Sequence, residues 1–435
     1  MPKITFIGAG STVFAKNVLG DSMLTPSLCE SEIALYDIDA ERLRDSELML
    51  MAINNNVNAG KARIKTYLGV ENRKEALKGA KYVINSIQVG GYKPCTVTDL
   101  DLPKKYGLQQ TIGDTLGIGG IFRTLRTLPV MMDFARDIEE VCPEAWFLNY
   151  VNPMAMLTGA LQRFTGVKTV GLCHSVQGCA RGLLRSVGLP TEGLEYKIAG
   201  INHMAWLLEV KCHGVDMYPE IKRLSPNRED PTKDAVRHEI MHRFGYYVTE
   251  SSEHNAEYMP YWIKSKYPEQ IERYKIPIDL YLRRCERQIA NWEKRREELT
   301  NNPLLDHNMT SEYASNIMDA METNVPFKIG GNVINNGLIP NLPDEACVEI
   351  PCLVDRSGVA GCYVGRLPEQ LAALNRTNIN VQFLTIDAAM TLKKESIYHA
   401  ALLDPHTSSE LSIDEIISLC DDLIEAHGDW LPKYH

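Results

Sequence analysis

The opening MPKITFIGAGSTVFAKNVLG constrains this chain more than any other stretch. A β-rich, mostly apolar run from Lys3 to Ile7 meets Gly8-Ala9-Gly10-Ser11-Thr12, and the residues that follow read as helix. Strand, glycine turn and helix together open a βαβ unit. In that setting Gly8 permits the tight turn and Gly10 admits a pyrophosphate close to the backbone. The helix, entered at Ser11 and Thr12, turns its free N–H groups toward the anion. A second strand, Glu32 to Tyr36, closes on Asp37, 27 residues past Gly10. A carboxylate there accepts hydrogen bonds from adenosine ribose hydroxyls, which favours NAD+ over NADP+, with Asp39 as the alternative. Val13 occupies the place of the third glycine, so the motif alone also suits a glycine-rich turn in an α/β protein that binds no nucleotide.

ARIKTYLG, KYVINSIQ, AWFLNYVNP and VKTVGLCHS continue the alternation of short strands with helical stretches. The economical reading is an α/β fold with a Rossmann-type, doubly wound parallel sheet. Val89-Gly90-Gly91-Tyr92 ends a later strand, and Gly90 offers a second close-approach surface at the same crevice. After about residue 190 the texture changes. LEYKIAGINHMAWLLEVKCHG suggests two strands or a hairpin, residues 231–320 are charged and mostly helical, and the tail from Pro368 is helical. We therefore expect residues 1–195 to form an NAD-binding domain and residues 196–435 a mixed α/β domain for substrate and oligomer contacts.

Composition narrows the class. A chain of 435 residues exceeds what one hydrophobic core of about 250–300 residues supports. The formal net charge of −10, with no long basic run, makes nucleic acid a poor partner. No apolar run is long enough to span a membrane. The eleven cysteines are odd in number, thinly spread and not preceded by a signal peptide, so they read as thiols in a reducing cytoplasm.

Ligands of such sheets lie outside the carboxyl ends of the strands, and here those ends are polar. Asn149 and Asn152 straddle one, as sugar-binding amides or as an ordinary Asn-Pro turn. Cys173 and His174 leave another, and His203 follows Gly200-Ile201-Asn202. Cys173 and His203, 30 residues apart, can share one transition metal with open positions for vicinal hydroxyls. An inert thiol and a packed histidine, or a thiol nucleophile beside His174, fit the same residues. The loop from Gly113 and Asp114 to Arg123 reads as a cover, an anion-binding turn or a plain loop. The segment from Glu250 to Tyr261, with Glu253, His254 and Tyr258, supplies acid and base groups or simply the polar face of a helix. Arg283 and Arg284 face a ligand or water.

Taken together, KITFIGAGSTVF, YDID, QVGGY, GDTLGIGG, LNYVNPMAM, GLCHSVQG, AGINHMA, SSEHNAEY and DPHT resemble glycoside hydrolase family 4, the NAD- and manganese-dependent glycosidases, over nearly the whole chain. The resemblance is greatest to its α-galactosidase branch. It implies a fold like lactate and malate dehydrogenases, Mn2+ held by Cys173 and His203, and Asn152 at the substrate with Asn149 close by; of the two arginines above, we take Arg283 as a further substrate contact. The implied reaction is hydrolysis of small α-galactosides such as melibiose. NAD+ oxidises C3, a base removes the C2 proton, the aglycone leaves, water adds and the hydride returns to C3. Some members carry an aspartate acid directly after the cysteine. Here that place is His174, which we take as the acid, with Asp114 or a water as alternatives. For the base we take Tyr258, with His254 and Glu253 competing. An α-glucosidase or α-glucuronidase of the same mechanism is the nearest alternative, and a 2-hydroxy-acid dehydrogenase is suggested by fold alone. A homodimer or homotetramer is expected.

Overall fold

A computed structural model describes all 435 residues. Six parallel strands form its first part: β1 (Lys3–Ile7), β2 (Glu32–Asp37), β3 (Arg63–Leu68), β4 (Tyr82–Asn85), β5 (Trp146–Asn149) and β6 (Lys168–Gly171). Their spatial order, β3-β2-β1-β4-β5-β6, is the doubly wound order, with the reversal between β1 and β4. β1 and β4 are almost wholly buried, as expected of strands covered by helices on both faces, which is why they read as continuous apolar runs. β3 is the outer edge, and its exposed residues make it the least apolar of the set.

The sheet does not stop at β6. The hairpin strands β7 (Leu194–Ile201) and β8 (Met204–Cys212) are followed by β9 (Val215–Asp216), β10 (Tyr247–Val248), β11 (Phe327–Ile334), β12 (Cys347–Asp355) and β13 (Gly358–Gly361). β11 joins β6 antiparallel, and the order then runs β12, β7, β8, β10. Strands from both halves of the chain thus lie in one sheet. The principal buried core likewise takes Ile4, Phe6 and Ile84 from the first half and Ile350, Leu371 and Ile397 from the second.

The C-terminal helices Glu369–Thr391, Lys394–Leu403 and Pro405–Glu410 pack back on the helix Gly117–Val141, and Ile413–His427 packs on the helix Val97–Lys104. Asp404 of DPHT caps one of them, accepting from Thr407 N–H at 2.8 Å, and His406 Nε2 lies 2.7 Å from the Gln109 carbonyl. All eleven cysteines are free thiols. No helix is long and apolar enough to cross a membrane.

Candidate active site

At the end of β1, Gly8 has φ +83°, and a Cβ there would meet the Ser86 carbonyl oxygen at 2.7 Å. Gly10 is as confined, with Asp37 Oδ2 2.8 Å from its ideal Cβ. The Gly10 N–H donates to that oxygen at 2.6 Å, so Asp37 ties β2 to the glycine turn. Asp39, the alternative ribose ligand, caps the next helix by accepting from the N–H groups of Glu41 and Arg42. Ser11 and Thr12 begin the helix Thr12–Leu24. Gly90 has φ +78°, and a side chain there would collide with Cys95. The Val89 carbonyl beside it accepts from Arg126, whose guanidinium is buried against Asp99.

Since β1 to β6 are parallel, the turn after β1 and Cys173 after β6 open on the same edge of the sheet. A cavity of about 200 Å³ lies between them, lined by Phe14, Tyr150, Asn152, Met154, Cys173 and His174 among others. Asn152 Oδ1 is buried and has no partner. Asn149 differs from the expectation of a sugar contact. Its Oδ1 accepts from Asn85 Nδ2 and Val151 N–H, while its Nδ2 donates to Thr158 Oγ1, so the amide braces the strand end behind Asn152.

The sheet brings Cys173, His203 and Glu250 together, with their ligand atoms all within 4.8 Å of one another. His203 sits in the tight turn between β7 and β8 at φ +64°, a left-handed conformation unusual for a histidine, and Glu250 also has φ +64°. Two residues with this uncommon backbone thus converge on one point. His203 Nε2 is 3.4 Å from Glu250 Oε2, and its Nδ1 is 3.0 Å from the Tyr258 hydroxyl. Burial, with the Glu349 and Glu250 carboxylates, pushes the Cys173 thiol far above the ordinary range. Burial alone would raise Glu250 too, but the His203 and His254 imidazoles outweigh it and hold the carboxyl low.

Around this trio stand most of the expected acid and base groups. His254 Nε2 is 3.8 Å from Asp114 Oδ1, and its Nδ1 is 3.0 Å from Ser251 Oγ. Burial opposes ionisation of Asp114, yet His254 and Arg123 draw its carboxyl well below the usual range. Arg123 lies 4.0 Å from Asp114 and donates to the Asn152 carbonyl, so it links the glycine-rich loop to the strand end. Glu257 anchors that loop by accepting from the backbone N–H groups of Thr111 and Gly113, each at 2.8 Å. The Tyr258 ring is fully buried, and burial pushes its phenol well above the ordinary value.

His174 turns to Glu312, with Nε2 and Oε2 2.6 Å apart. That hydrogen bond raises the imidazole pKa against the opposing effect of burial. Arg283 does not join the cluster: it is exposed and donates to the Ile278 carbonyl. Glu250 and Arg123 occupy the places that sequence reasoning left unassigned. Glu250 belongs to a segment singled out for acid and base chemistry, but its convergence with Cys173 depends on a turn that no local pattern announces.

Residues 3–189 match the description "Family 4 glycosyl hydrolase", and residues 198–407 match "Family 4 glycosyl hydrolase C-terminal domain". An alpha-galactosidase of Bacillus subtilis is 61% identical over 435 residues, covering 100% of both chains. The chain belongs to glycosyl hydrolase family 4. A second family relative, an alpha-galactosidase of Rhizobium meliloti, is 34% identical over 99% of this chain and 89% of its own. Among solved structures, a 6-phospho-alpha-glucosidase from gut microorganisms, in complex with NAD and Mn2+, superposes with TM-score 0.82 at 21% identity, over 100% of each chain. The Rossmann-like mixed α/β fold is therefore common to this family 4 enzyme and to structures of low sequence identity.

Proposed function

We propose that this family 4 glycosidase hydrolyses small α-galactosides with NAD+ and a divalent cation such as Mn2+ in place. The observation that carries the reading is the cluster of Cys173, His203 and Glu250 on the sheet edge that also holds the glycine cradle. Both groups suit the residues present. The confined Gly8 and Gly10 keep side chains out of the way of a pyrophosphate, Asp37 closes the second strand beside that turn as the expected ribose contact, and the cavity beside Cys173 ends on the unpartnered Asn152 Oδ1. Sulfur, imidazole and carboxylate donors make a mixed set for a transition dication, and three protein donors leave positions for substrate oxygens. The 61% identical relative named alpha-galactosidase supports galactose as the glycone.

Held by the glycine turn and by Cys173, His203 and Glu250, NAD+ would supply reversible hydride acceptance and the cation Lewis acidity toward substrate oxygens. The protein supplies the proton transfers. His174, whose protonated form Glu312 favours, delivers a proton to the departing glycosidic oxygen. Tyr258 takes the C2 proton. When His203 Nε2 serves as a ligand, its Nδ1–H donates to the Tyr258 oxygen and favours the phenolate. His254, between Asp114 and Glu250, is the competing base. Arg123 ties the Asn152 strand end to the glycine-rich loop, which Glu257 holds at Thr111 and Gly113.

A panel of nitrophenyl α-galactoside, α-glucoside and α-glucuronide tests the reading, with NAD+, Mn2+ and thiol omitted one at a time. The expected result is α-galactoside cleavage that needs all three and leaves no net NADH. Cleavage without NAD+ defeats the redox mechanism. Preference for the glucoside or glucuronide changes the glycone, and stoichiometric NADH identifies a dehydrogenase.

A further inference from the structure

Four residues on adjacent strands form one row across the sheet beside the cluster: Gly171 on β6, Asn332 on β11, Glu349 on β12 and Gly200 on β7. β6 meets β11 through the single pair Gly171–Asn332, and β12 meets β7 through the single pair Glu349–Gly200. This row is therefore the joint between the parallel strands that deliver Cys173 and the hairpin that delivers His203. Gly171 lies two residues before Cys173, and Asn202 directly precedes His203.

Side chains reinforce the joint. Asn332 Nδ2 donates at 3.2 Å both to the Gly171 carbonyl and to Glu349 Oε1. The same Oε1 accepts from Asn202 Nδ2 at 3.2 Å. Asn332 and Glu349 are wholly buried, yet Glu349 Oε2, Asn332 Oδ1 and Asn202 Oδ1 have no partner. A buried carboxyl with one oxygen unpaired destabilises a fold, and an apolar pair would pack here at lower cost. Its presence calls for another reason. The row also has no slack at its ends: a Cβ on Gly171 would come within 2.6 Å of Met154 Sδ and Thr158 Oγ1, and one on Gly200 within 2.8 Å of the Ala205 Cα.

We infer that Glu349 and Asn332 are positioning residues: one shared carboxylate oxygen, reached from both sides, sets the spacing of Cys173 and His203 for a divalent cation. The inference rests on the metal reading above. Outer-shell groups of this kind are worth about 10–100-fold in metal affinity.

The test is Mn2+ binding to the full chain without substrate, read from the free-Mn2+ EPR signal, with NAD+ affinity and thermal midpoint measured alongside. Glu349→Leu removes the acceptor at similar volume, Glu349→Gln retains an oxygen acceptor, and Asn332→Leu removes the donor. The expected result is Mn2+ binding about 10–100-fold weaker in both leucine variants, near-native Mn2+ binding in Glu349→Gln, and unchanged NAD+ affinity in all three. Native Mn2+ affinity in the leucine variants overturns the inference, as does a parallel loss of NAD+ binding, which would signal general loosening. A glutamine variant as weak as the leucine one also overturns it, since charge and not the shared acceptor would be at work. Should Glu349→Leu fail to fold, Asn332→Leu decides. A native chain that binds no Mn2+, or a Cys173→Ser variant that binds it undiminished, instead defeats the metal reading itself.

Discussion

The Tyr258 hydroxyl lies 3.0 Å from His203 Nδ1, which leaves Nε2 as the ring nitrogen turned to Glu250. One tyrosine thus fixes the orientation of the His203 imidazole, and in the proposed reaction it also takes the C2 proton. Tyr258→Phe keeps the ring and its buried packing while removing the oxygen. We expect kcat to fall by about 10²–10⁴-fold, with KM little changed. Each product molecule formed in D2O should still carry deuterium at C2, since exchange there is obligatory to the elimination, but should form at the reduced rate. Native kcat in the phenylalanine variant would move the base role to His254.

Cys173→Ser exchanges a soft thiolate donor for a hydroxyl that does not ionise near neutral pH. The expected outcome is loss of Mn2+-dependent turnover with the far-UV circular dichroism and NAD+ affinity retained. Undiminished turnover would remove Cys173 from the ligand set. Oxidation of the native thiol should inactivate the enzyme in the same way, reversibly with reductant at the sulfenic or disulfide stage.

The hydrogen bond between Glu312 and His174 gives a leaving-group prediction. An acid matters most when the departing oxygen is poor. His174→Asn should therefore lose much more activity on melibiose than on nitrophenyl α-galactoside. Glu312→Gln lowers the His174 pKa, so the basic limb of kcat/KM should move to lower pH. Equal losses on the two substrates would show that His174 does not protonate the leaving group.

His238 predicts part of the acid sensitivity of the fold. Its side chain is buried, Nδ1 is 2.7 Å from Ser225 Oγ, and burial with the nearby Arg228 and Arg237 pushes its pKa down to about 3. The unfolded chain titrates near 6.5, so between these values it binds a proton that the folded chain refuses. Stability is therefore whole above pH 6.5 and falls as the pH drops toward 3. The slope from this one group is at most about 1.4 kcal/mol per pH unit. His238→Asn should flatten the fall of the thermal midpoint between about pH 6.5 and 5. An unchanged slope would show that His238 does not carry this effect.

The parallel half of the fold was legible because strands buried on both faces write themselves as apolar runs, and because Gly8 and Gly10 mark a turn that few other residues can make. Cys173, His203, His254 and Asp114 were legible through motif resemblance, and the structure brings them to one place. Glu250 was harder to see, since its approach to Cys173 comes from a left-handed backbone at a non-glycine residue. Asn332 and Glu349 were illegible: they lie in ordinary-looking β-strands, 129 and 146 residues beyond His203, and only sheet pairing gives them meaning. Arg283 misled because an arginine in a charged amphipathic helix reads alike whether it faces sugar or solvent.

The sheet changes direction at Gly171–Asn332, parallel on one side and antiparallel on the other. The glycine turn, Asn152 and Cys173 stand on the first side and His203 on the second. Neither half of the sheet alone holds the cluster, so a slip of one half against the other would pull the thiol and the imidazole apart.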